Sequence, residues 1–237
     1  MNAPFFYAPD ITESHTGYLL DDASARHCIQ VLRRKPGDAV ILTDGLGRRY
    51  HTVIDAADKK HCAVIIMSME KILPLNPKMG IGISFTKNIS RIEWFLEKAT
   101  EIGITDIYPV HCRRTEREKY NSSRLRSLLI AAMLQSQQVY LPRLHEQIPF
   151  REFIHTHGYT QRFIAHCEED EKHFLCKKIT KGSDLLVLIG PEGDFSPEEI
   201  TMAKDQRFIP VSLGNTRLRT ETAGVVACTL MHAANEL

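Results

Sequence analysis

The stretch VLIGPEGDFSPEEI, from Val187 to Ile200, passes from an apolar run through a turn into the start of a helix. Leu185 to Ile189 is entirely apolar, which predicts a parallel β-strand covered on both faces. Ser196–Glu199 supplies the N-cap serine, the proline at the first helical position and the glutamate of a capping box. The turn at 190–193 therefore lies between the carboxyl end of a strand and the amino end of a helix. Open α/β sheets bind their ligands at such positions.

The composition is that of a soluble globular protein. The chain has 237 residues, of which 43% are hydrophobic and 25% charged, with a formal net charge of +1. This charge excludes a uniformly basic nucleic-acid coat but allows local basic patches. No apolar run approaches the ~20 residues of a membrane helix, and the first residues do not begin a signal peptide. We therefore expect a cytoplasmic protein without a membrane partner.

Six cysteines are present, and no two of them form a C-x-x-C pair. Four of the six directly follow a histidine. Neighbouring residues on a strand point to opposite faces, so these dipeptides are poor chelators. We expect free thiols and no metal site.

The first part of the chain, residues 1–72, reads as a small β domain. A helix is predicted over 24–35, ending before Pro36-Gly37, and short strands are predicted over 39–43, 48–56 and 61–69. Asp44-Gly45 between apolar runs is a hairpin signal. Short strands so close together favour a small β-barrel, because closure protects the strand edges.

The remainder, residues 73–237, alternates strands and helices after a proline-containing linker at 71–80. This alternation predicts an α/β fold with a parallel sheet covered by helices. The predicted strands lie at 80–86, 106–111, 162–167, 184–190 and 208–214. The predicted helices lie at 89–103, 121–139, 196 onward and 221–235.

Polar residues concentrate where three of these strands end. The strand ends are His166-Cys167-Glu168, the turn at 190–193, and Leu213-Gly214 followed by NTRLRTETAG. The last loop places Arg217, Arg219, Thr220 and Glu221 beside glycines and next to an apolar helix. A structural alternative has Thr220 capping that helix, Glu221 on its dipole and both arginines in solvent. Spacing alone does not decide between the two.

Several common catalytic signatures are missing from the sequence. There is no G-x-x-x-x-G-K-[ST] phosphate loop, no serine elbow and no H-E-x-x-H. The GIGISF stretch at Gly80 lacks the third glycine of a dinucleotide fingerprint. Nucleotide hydrolysis and a Rossmann-type cofactor site are accordingly disfavoured.

The motifs LIGPEGDFSPEEI, LGNTRLRTETAGVVA and RIEWFLEKATEIGI together resemble the RsmE family. HCIQVLRRKPGDAVILTDGLGRRY resembles that family's N-terminal PUA-like barrel, so the resemblance covers nearly the whole chain. It implies a SPOUT-class methyltransferase that acts on N3 of a uridine in 16S ribosomal RNA, within the small ribosomal subunit. It also implies a deep trefoil knot in the C-terminal part of the chain and a homodimer.

By this resemblance, the loops of the knot form the pocket for S-adenosylmethionine. Its walls are expected to come from the three strand ends, with glycines letting the cofactor lie against bare backbone. The residues implied are Ile189, Gly190, Pro191, Glu192, Gly193, Leu213, Gly214, Leu218, His166 and Cys167.

Arg219 and Glu221 are the catalytic candidates. Loss of the N3 proton leaves an anion on uracil, which Arg219 could stabilise together with the helix amino terminus. Glu221 has three possible roles: to accept the proton, to hold Arg219, or to compensate the positive sulfonium.

Two basic stretches are candidates for RNA contacts. Residues 26–49 contain six basic and two acidic residues, and residues 113–126 contain the same numbers. We expect residues 1–72 to dock RNA through phosphates, with salt-dependent binding. The candidates are Arg26, Arg33, Arg34, Arg48, Arg113 and Arg114.

The sequence departs from the RsmE pattern at a few positions. Asp194 stands where a second glycine is common, Phe5 where many members have arginine, and Leu134 and Gln138 where some relatives have glutamate and arginine. Two alternative functions remain open. One is ribose 2′-O methylation, although the last loop has the form associated with base methylation. The other is a non-catalytic ribosome-assembly or RNA-binding protein, which the intact cofactor glycines disfavour.

Overall fold

The computed structural model describes residues 3–58, 60–74, 76–116, 119–155, 158–169 and 171–236. Its contacts divide the chain into two compact units. The first takes the chain as far as Pro74 and also includes Met133–Leu141, and the second takes the rest. A single boundary after residue 72 was expected from the sequence. The structure instead has the chain pass between units three times.

The first unit is built on a five-stranded sheet with the order β1-β3-β4-β5-β2. β1 pairs with β3 in parallel, and the other pairs are antiparallel. Its elements are β1 (Phe5–Tyr7), β2 (Gly17–Leu19), helix α1 (Asp22–Arg26), β3 (Ala39–Thr43), β4 (Arg48–Ala57) and β5 (Cys62–Lys71). Alternate residues of β4, Tyr50, Thr52 and Ile54, are buried in the core of this unit. Within the described residues the pairing ends at β1 and β2, so no ladder between those two strands closes the predicted barrel.

The helix predicted over 24–35 ends earlier in the structure and changes type along its length. α1 begins after Asp21, whose carboxylate accepts bonds from the backbone N–H groups of Ala23 and Ser24, both at 2.9 Å. A π-helical turn over His27–Val31 follows. Arg33 then has a φ of 55°, which no α-helix accommodates. The predicted helix is therefore confirmed as far as Val31, with a π-helical second part, and was wrong beyond Val31.

The segment 133–141 adds to the edge of the hairpin turn between β3 and β4. Gly47 N–H donates to the carbonyl of Val139 and Leu141 N–H donates to that of Gly45, both at 2.9 Å. The Tyr140 hydroxyl donates to the carbonyl of Ile72 at 2.8 Å. A side chain on Gly47 would overlap the Tyr140 ring and hydroxyl, and its φ of 99° also requires glycine.

The second unit contains an eight-stranded sheet with the order β11-β13-β10-β12-β6-β7-β8, in which β9 also pairs with β7. All of these pairs are parallel. The strands are β6 (Met79–Ile83), β7 (Asp106–His111), β8 (Arg143–Leu144), β9 (Ile148–Pro149), β10 (Gln161–Ala165), β11 (His173–Phe174), β12 (Leu185–Ile189) and β13 (Ile209–Ser212). The expected α/β fold with a parallel sheet is confirmed.

Five helices complete the described part of this unit, and the longest is the last. They are α2 (Ile89–Ile102), α3 (Ser122–Gln135), α4 (Phe150–Phe153), α5 (Pro197–Asp205) and α6 (Thr220–Glu236), with a 3₁₀ turn at Leu175–Lys177. Leu186 and Leu188 of β12 pack in one cluster with residues of α4 and α5. Because strand residues alternate, the other face of β12 is turned toward α6, which contacts β6, β12 and α2. Every residue of β12 is buried, as predicted from the sequence.

Candidate active site

Three neighbouring strands bring their carboxyl ends to one edge of the sheet. β10 lies between β12 and β13, with Ala165 in register with Ile189 on one side and Val211 on the other. All three strands run parallel, so the loops that follow them lie side by side. This is the edge at which α/β sheets bind ligands. The three polar strand ends predicted from the sequence are therefore brought together.

The turn after β12 is fixed by Asp194. Its N–H donates to the carbonyl of Pro191 at 2.9 Å, and its φ is 63°. Its carboxylate accepts from the N–H of Cys167 at 2.7 Å and from the N–H of Phe195 at 2.8 Å. Aspartate tolerates the left-handed conformation better than most residues. The departure from glycine at this position thus keeps the backbone conformation and adds a bond to the β10 loop.

The loop after β13 leads directly into α6. Gly214 has a φ of 140° and no atom near a would-be side chain. Thr220 is the first residue of α6, and its buried hydroxyl donates to the carbonyl of Gly190 at 3.1 Å. Thr220 is therefore not the N-cap that the structural alternative assumed. Its side chain instead ties the start of the helix to the turn after β12.

Two cavities open between these loops, one of about 420 Å³ and one of about 490 Å³. Five residues line both of them: Ala165, Cys167, Arg217, Leu218 and Ala223. The predicted cofactor residues that line one cavity or both are His166, Cys167, Leu213, Gly214, Leu218, Ile189, Gly190, Pro191 and Glu192. Each volume lies in the range of small-molecule sites, about 300–1,000 Å³.

Gly193 and Glu221 are outside both linings as far as the described residues define them. A side chain on Gly193 would lie 3.3 Å from Cδ of Arg114. Arg114 Nη1 donates to the carbonyl of Gly193 at 2.6 Å and to that of Phe195 at 3.3 Å. Arg114, a predicted RNA contact, thus supports the turn after β12 from outside.

The two arginines of the last loop are exposed at the cavity mouth. Arg217 and Arg219 both line the larger cavity, and within the described chain neither guanidinium has an ion-pair partner. Unpaired guanidinium groups beside a cavity attract anions and electron-rich oxygens. The catalytic candidate Arg219 is therefore available to a ligand.

Glu221 lies in a different environment. Its side chain is 8% exposed, and Oε1 lies 3.6 Å from Nε of Arg91. Oε2 is buried and has no hydrogen-bond partner among the described residues. Arg91 also donates from Nη1 to Oε1 of Glu192 at 3.3 Å. The carboxylate is therefore paired with Arg91 of α2, and the described contacts do not join it to Arg219.

Sequence reasoning missed Arg91 and Lys172. Arg91 lines the larger cavity, and Lys172 lines the smaller one. Lys172 Nζ donates to the carbonyls of His166 at 2.9 Å and Glu168 at 2.6 Å, which closes the loop after β10. The only signal for Arg91 was a basic residue in the first turn of a helix that otherwise presents an apolar stripe.

Cys167 is the exposed thiol of the site. Burial of its sulfur raises the pKa above the ordinary value, and the negative charge of Asp194 adds to this. The positive charges of Arg217 and Lys172 act in the opposite direction.

Among the residues described, no group of three or more His, Cys, Asp or Glu side chains is arranged to hold a metal.

The remaining RNA candidates differ in their exposure and in their ion pairs. Arg26 and Arg33 are exposed and Arg34 is half-buried. Arg48 forms ion pairs with the buried Asp44 at 2.6 Å and with Glu13 at 3.1 Å. Arg113 is exposed and pairs with exposed Glu198 at 3.2 Å. Arg117 and Glu118, which belong to the second basic stretch, lie outside the described residues.

Comparison with known proteins places this geometry in a family. A family model described as an RNA methyltransferase domain matches residues 74–232, and one described as an RNA methyltransferase PUA domain matches residues 20–67. The chain belongs to this RNA methyltransferase family. The matched range contains every residue that lines the two cavities.

This chain is similar to individual RNA methyltransferases over most of its length. A solved structure from Porphyromonas gingivalis, described as a "probable rRNA-methyltransferase", is 40% identical with a TM-score of 0.91, covering 98% of each chain. The ribosomal RNA small subunit methyltransferase E of Neisseria gonorrhoeae, solved bound to S-adenosyl methionine, is 25% identical with a TM-score of 0.85, again covering 98% of each chain. The protein of that name from Bacillus subtilis is 26% identical over 89% of this chain and 88% of its own.

These comparisons confirm the resemblance to the RsmE family that the motifs indicated. In the described part of this RNA methyltransferase, no helix is long and apolar enough to cross a membrane.

Proposed function

We propose that this chain transfers a methyl group from S-adenosylmethionine to N3 of a specific uridine in 16S ribosomal RNA, within the small ribosomal subunit and in the cytoplasm. The observation that carries the proposal is the pair of cavities that share five lining residues at three adjacent strand ends, with Arg217 and Arg219 exposed there. The relatives named ribosomal RNA small subunit methyltransferase E, one of them bound to S-adenosyl methionine, support the cofactor and the RNA.

The residues of the cavities fit this cofactor. Gly190 and Gly214 leave backbone bare on two of the loops, and amide and carbonyl groups there can read an adenine. Ile189, Leu213 and Leu218 add apolar surface for the base. When bound, S-adenosylmethionine supplies a methyl group on a positively charged sulfur. Glu192 and Glu221 share the single positive charge of Arg91, so these three groups together leave a net negative charge in this region.

Arg219 is the residue that we assign to the reaction itself. Methyl transfer to N3 requires loss of the N3 proton, and the charge left behind spreads onto the two flanking carbonyl oxygens. An exposed, unpaired guanidinium beside the amino end of α6 can donate to such an oxygen. In-line displacement needs little else from the protein except orientation of the two reactants.

Glu221 retains two of its three predicted roles. The described contacts pair it with Arg91, which argues against its acting as the holder of Arg219. It can still accept the proton through water or compensate the sulfonium. Its burial favours the charge-compensating role, because a group that is 8% exposed is poorly placed to touch RNA directly.

RNA docking belongs to the first unit in this proposal. Arg26 and Arg33 are exposed there, which is what phosphate contacts require.

We also propose a homodimer, supported by the half-buried apolar residues Val225, Val226 and Leu230 along α6. Light scattering at micromolar concentration tests it, and a monomer would contradict it.

A trefoil knot in the SPOUT manner is part of the same proposal. It is supported by the path of the chain after β12. β13 crosses to the far side of β10, and Thr220 then returns to bond the carbonyl of Gly190. Stretching single molecules tests the knot. A knotted chain stays shorter than the ~3.3–3.6 Å per residue of a fully extended one.

Mass spectrometry of 16S rRNA nucleosides, with and without the protein, tests the activity. The expected product is N3-methyluridine. Detection of 2′-O-methyluridine would support the ribose alternative, and absence of any methylated product would support the non-catalytic one.

We expect Arg219→Ala to lower turnover about 100-fold or more, the size of losing one charge-stabilising donor, with little change in cofactor affinity. Arg151→Ala, an exposed arginine on α4, is the matched control and should have normal turnover.

A further inference from the structure

Arg91 connects two elements of the candidate site that are far apart in sequence. It lies in the first turn of α2, where Asn88 caps the helix through a bond from Ser90 N–H at 3.0 Å. Its side chain, 34% exposed, reaches Glu192 in the turn after β12 and Glu221 in the first turn of α6. One guanidinium thus spans two carboxylates, 3.3 Å from the first and 3.6 Å from the second.

The carboxylate of Glu221 depends on this contact. It is almost fully buried, one oxygen has no hydrogen-bond partner among the described residues, and the only ion pair recorded for the other is with Arg91. A buried carboxylate without a countercharge is strongly destabilising. Without Arg91, the buried charge of Glu221 favours movement of the side chain toward water, which would displace the start of α6.

Movement of α6 would reach the cavity directly. Thr220 and Ala223 line the larger cavity from α6, and Glu192 lines it from the turn after β12. Arg91 itself is part of the same lining. The four residues therefore set the distance between two walls of the cavity.

We infer that Arg91 is a positioning residue for the cofactor pocket: it holds the turn after β12 and the amino end of α6 at their working distance by neutralising Glu221. The inference rests on the proposed cofactor for its binding readout. It assigns Arg91 no contact with the reacting atoms.

The effect of replacing Arg91 should depend on its charge as well as on its packing. Arg91→Met removes the countercharge, and Glu221→Gln then removes the charge that lacks one. If Arg91 only filled space, the second substitution would add damage. If Arg91 neutralises Glu221, the second substitution repairs most of it.

The test measures the affinity of the full-length chain for S-adenosylhomocysteine by calorimetry. This probe has a neutral sulfur, so changes at Glu221 do not alter its charge match. We expect Arg91→Met to weaken binding about tenfold or more, equivalent to at least about 1.4 kcal/mol. The double variant Arg91→Met/Glu221→Gln should return to within about threefold of the unsubstituted chain, and Arg91→Lys should be intermediate because an ammonium cannot fork across two carboxylates.

Lys98→Met is the matched control. Lys98 lies on the same helix, is 33% exposed, and also spans two carboxylates, Glu97 at 2.7 Å and Glu101 at 2.9 Å. Its removal should leave affinity unchanged. Equal effects of Arg91→Met and Lys98→Met would overturn the inference, as would a double variant that binds more weakly than Arg91→Met alone.

Thermal unfolding without ligand separates this inference from the proposed cofactor. The same order is expected for the midpoint temperature, with the double variant above Arg91→Met. If the unsubstituted chain bound no nucleoside, the proposed function would fail while the order of unfolding temperatures would still decide the role of Arg91. If it bound normally and that order were reversed, only the role of Arg91 would fail.

Discussion

At the scale of single residues, Asp194 combines a left-handed backbone with two accepted hydrogen bonds. We expect Asp194→Ala to lose about 2–3 kcal/mol of stability. It forfeits charge-assisted bonds of about 1.5–3 kcal/mol, and alanine adds strain of about 1–2 kcal/mol at positive φ, partly offset by relaxation. Urea denaturation measures the loss.

Two further substitutions at this position separate strain from bonding. Asp194→Gly relieves the backbone but not the bonds, and Asp194→Asn keeps an acceptor and tolerates the conformation. We expect asparagine to be the mildest and alanine the most damaging. Equal losses for glycine and alanine would show that strain contributes nothing here.

The sequence identified most of the cavity lining but not the partners of its charges. The glycines and the two arginines of the last loop belong to recognisable sequence motifs, so Gly190, Gly214 and Arg219 could be found from a single sequence. The contact of Arg91 with Glu221 could not, because it depends on how α2 packs against α6. Local spacing instead suggested Arg219 as the partner of Glu221, and the described contacts do not include that pair.

At the scale of elements, the capping box of α5 predicted from the sequence is confirmed. Glu199 does more than cap. It is 5% exposed, and its carboxylate accepts from the N–H of Ser196 and from the N–H of Arg113, both at 2.8 Å. It therefore fastens α5 to the end of β7.

We expect Glu199→Ala to cost about 2–4 kcal/mol, because two charge-assisted bonds to backbone N–H groups are lost from a buried position. Glu198→Ala is the matched control. That carboxylate is exposed, pairs with the exposed side chain of Arg113 and forms a side-chain hydrogen bond with Ser196, so in this solvated position its loss should stay within about 1 kcal/mol. Chemical denaturation of both variants measures the difference. Similar costs at the two neighbours would refute the fastening role of Glu199.

Long periodic elements were predictable, whereas very short ones were not. β12, α2 and α6 were all predicted within one or two residues, because burial on both faces or on one stripe leaves a clear pattern. β1, β2, β8, β9 and β11 have two or three residues each, too few to show a period. α3 ends at Gln135, four residues before the prediction, because Gln137 has a φ of 59° in a segment, Met133–Leu141, that belongs to the first unit.

At the scale of the whole molecule, RNA binding should depend on salt through the exposed arginines of the first unit, Arg26 and Arg33. We expect Arg26→Ala/Arg33→Ala to lower the slope of log affinity against log salt by about 0.7 per lost phosphate contact, as for single-stranded RNA. Titration of 16S rRNA at several salt concentrations measures the slope.

Arg48→Ala provides the contrast at this scale. Arg48 already neutralises the buried Asp44, so its removal should lower the stability of the first unit and leave the slope nearly unchanged. An unchanged slope in the Arg26/Arg33 variant would place the RNA contacts elsewhere on the molecule.

The segment 133–141 has a consequence for exchanging parts between relatives. A chimera that takes only residues up to Pro74 from one parent leaves the other parent's segment beside a foreign hairpin turn, where Gly47 must accommodate the ring at position 140. The unit that must be transferred as a whole therefore consists of two separate segments of the chain. A recombination library that moves 133–141 together with the amino-terminal portion should yield folded hybrids far more often than one joined at a single crossover.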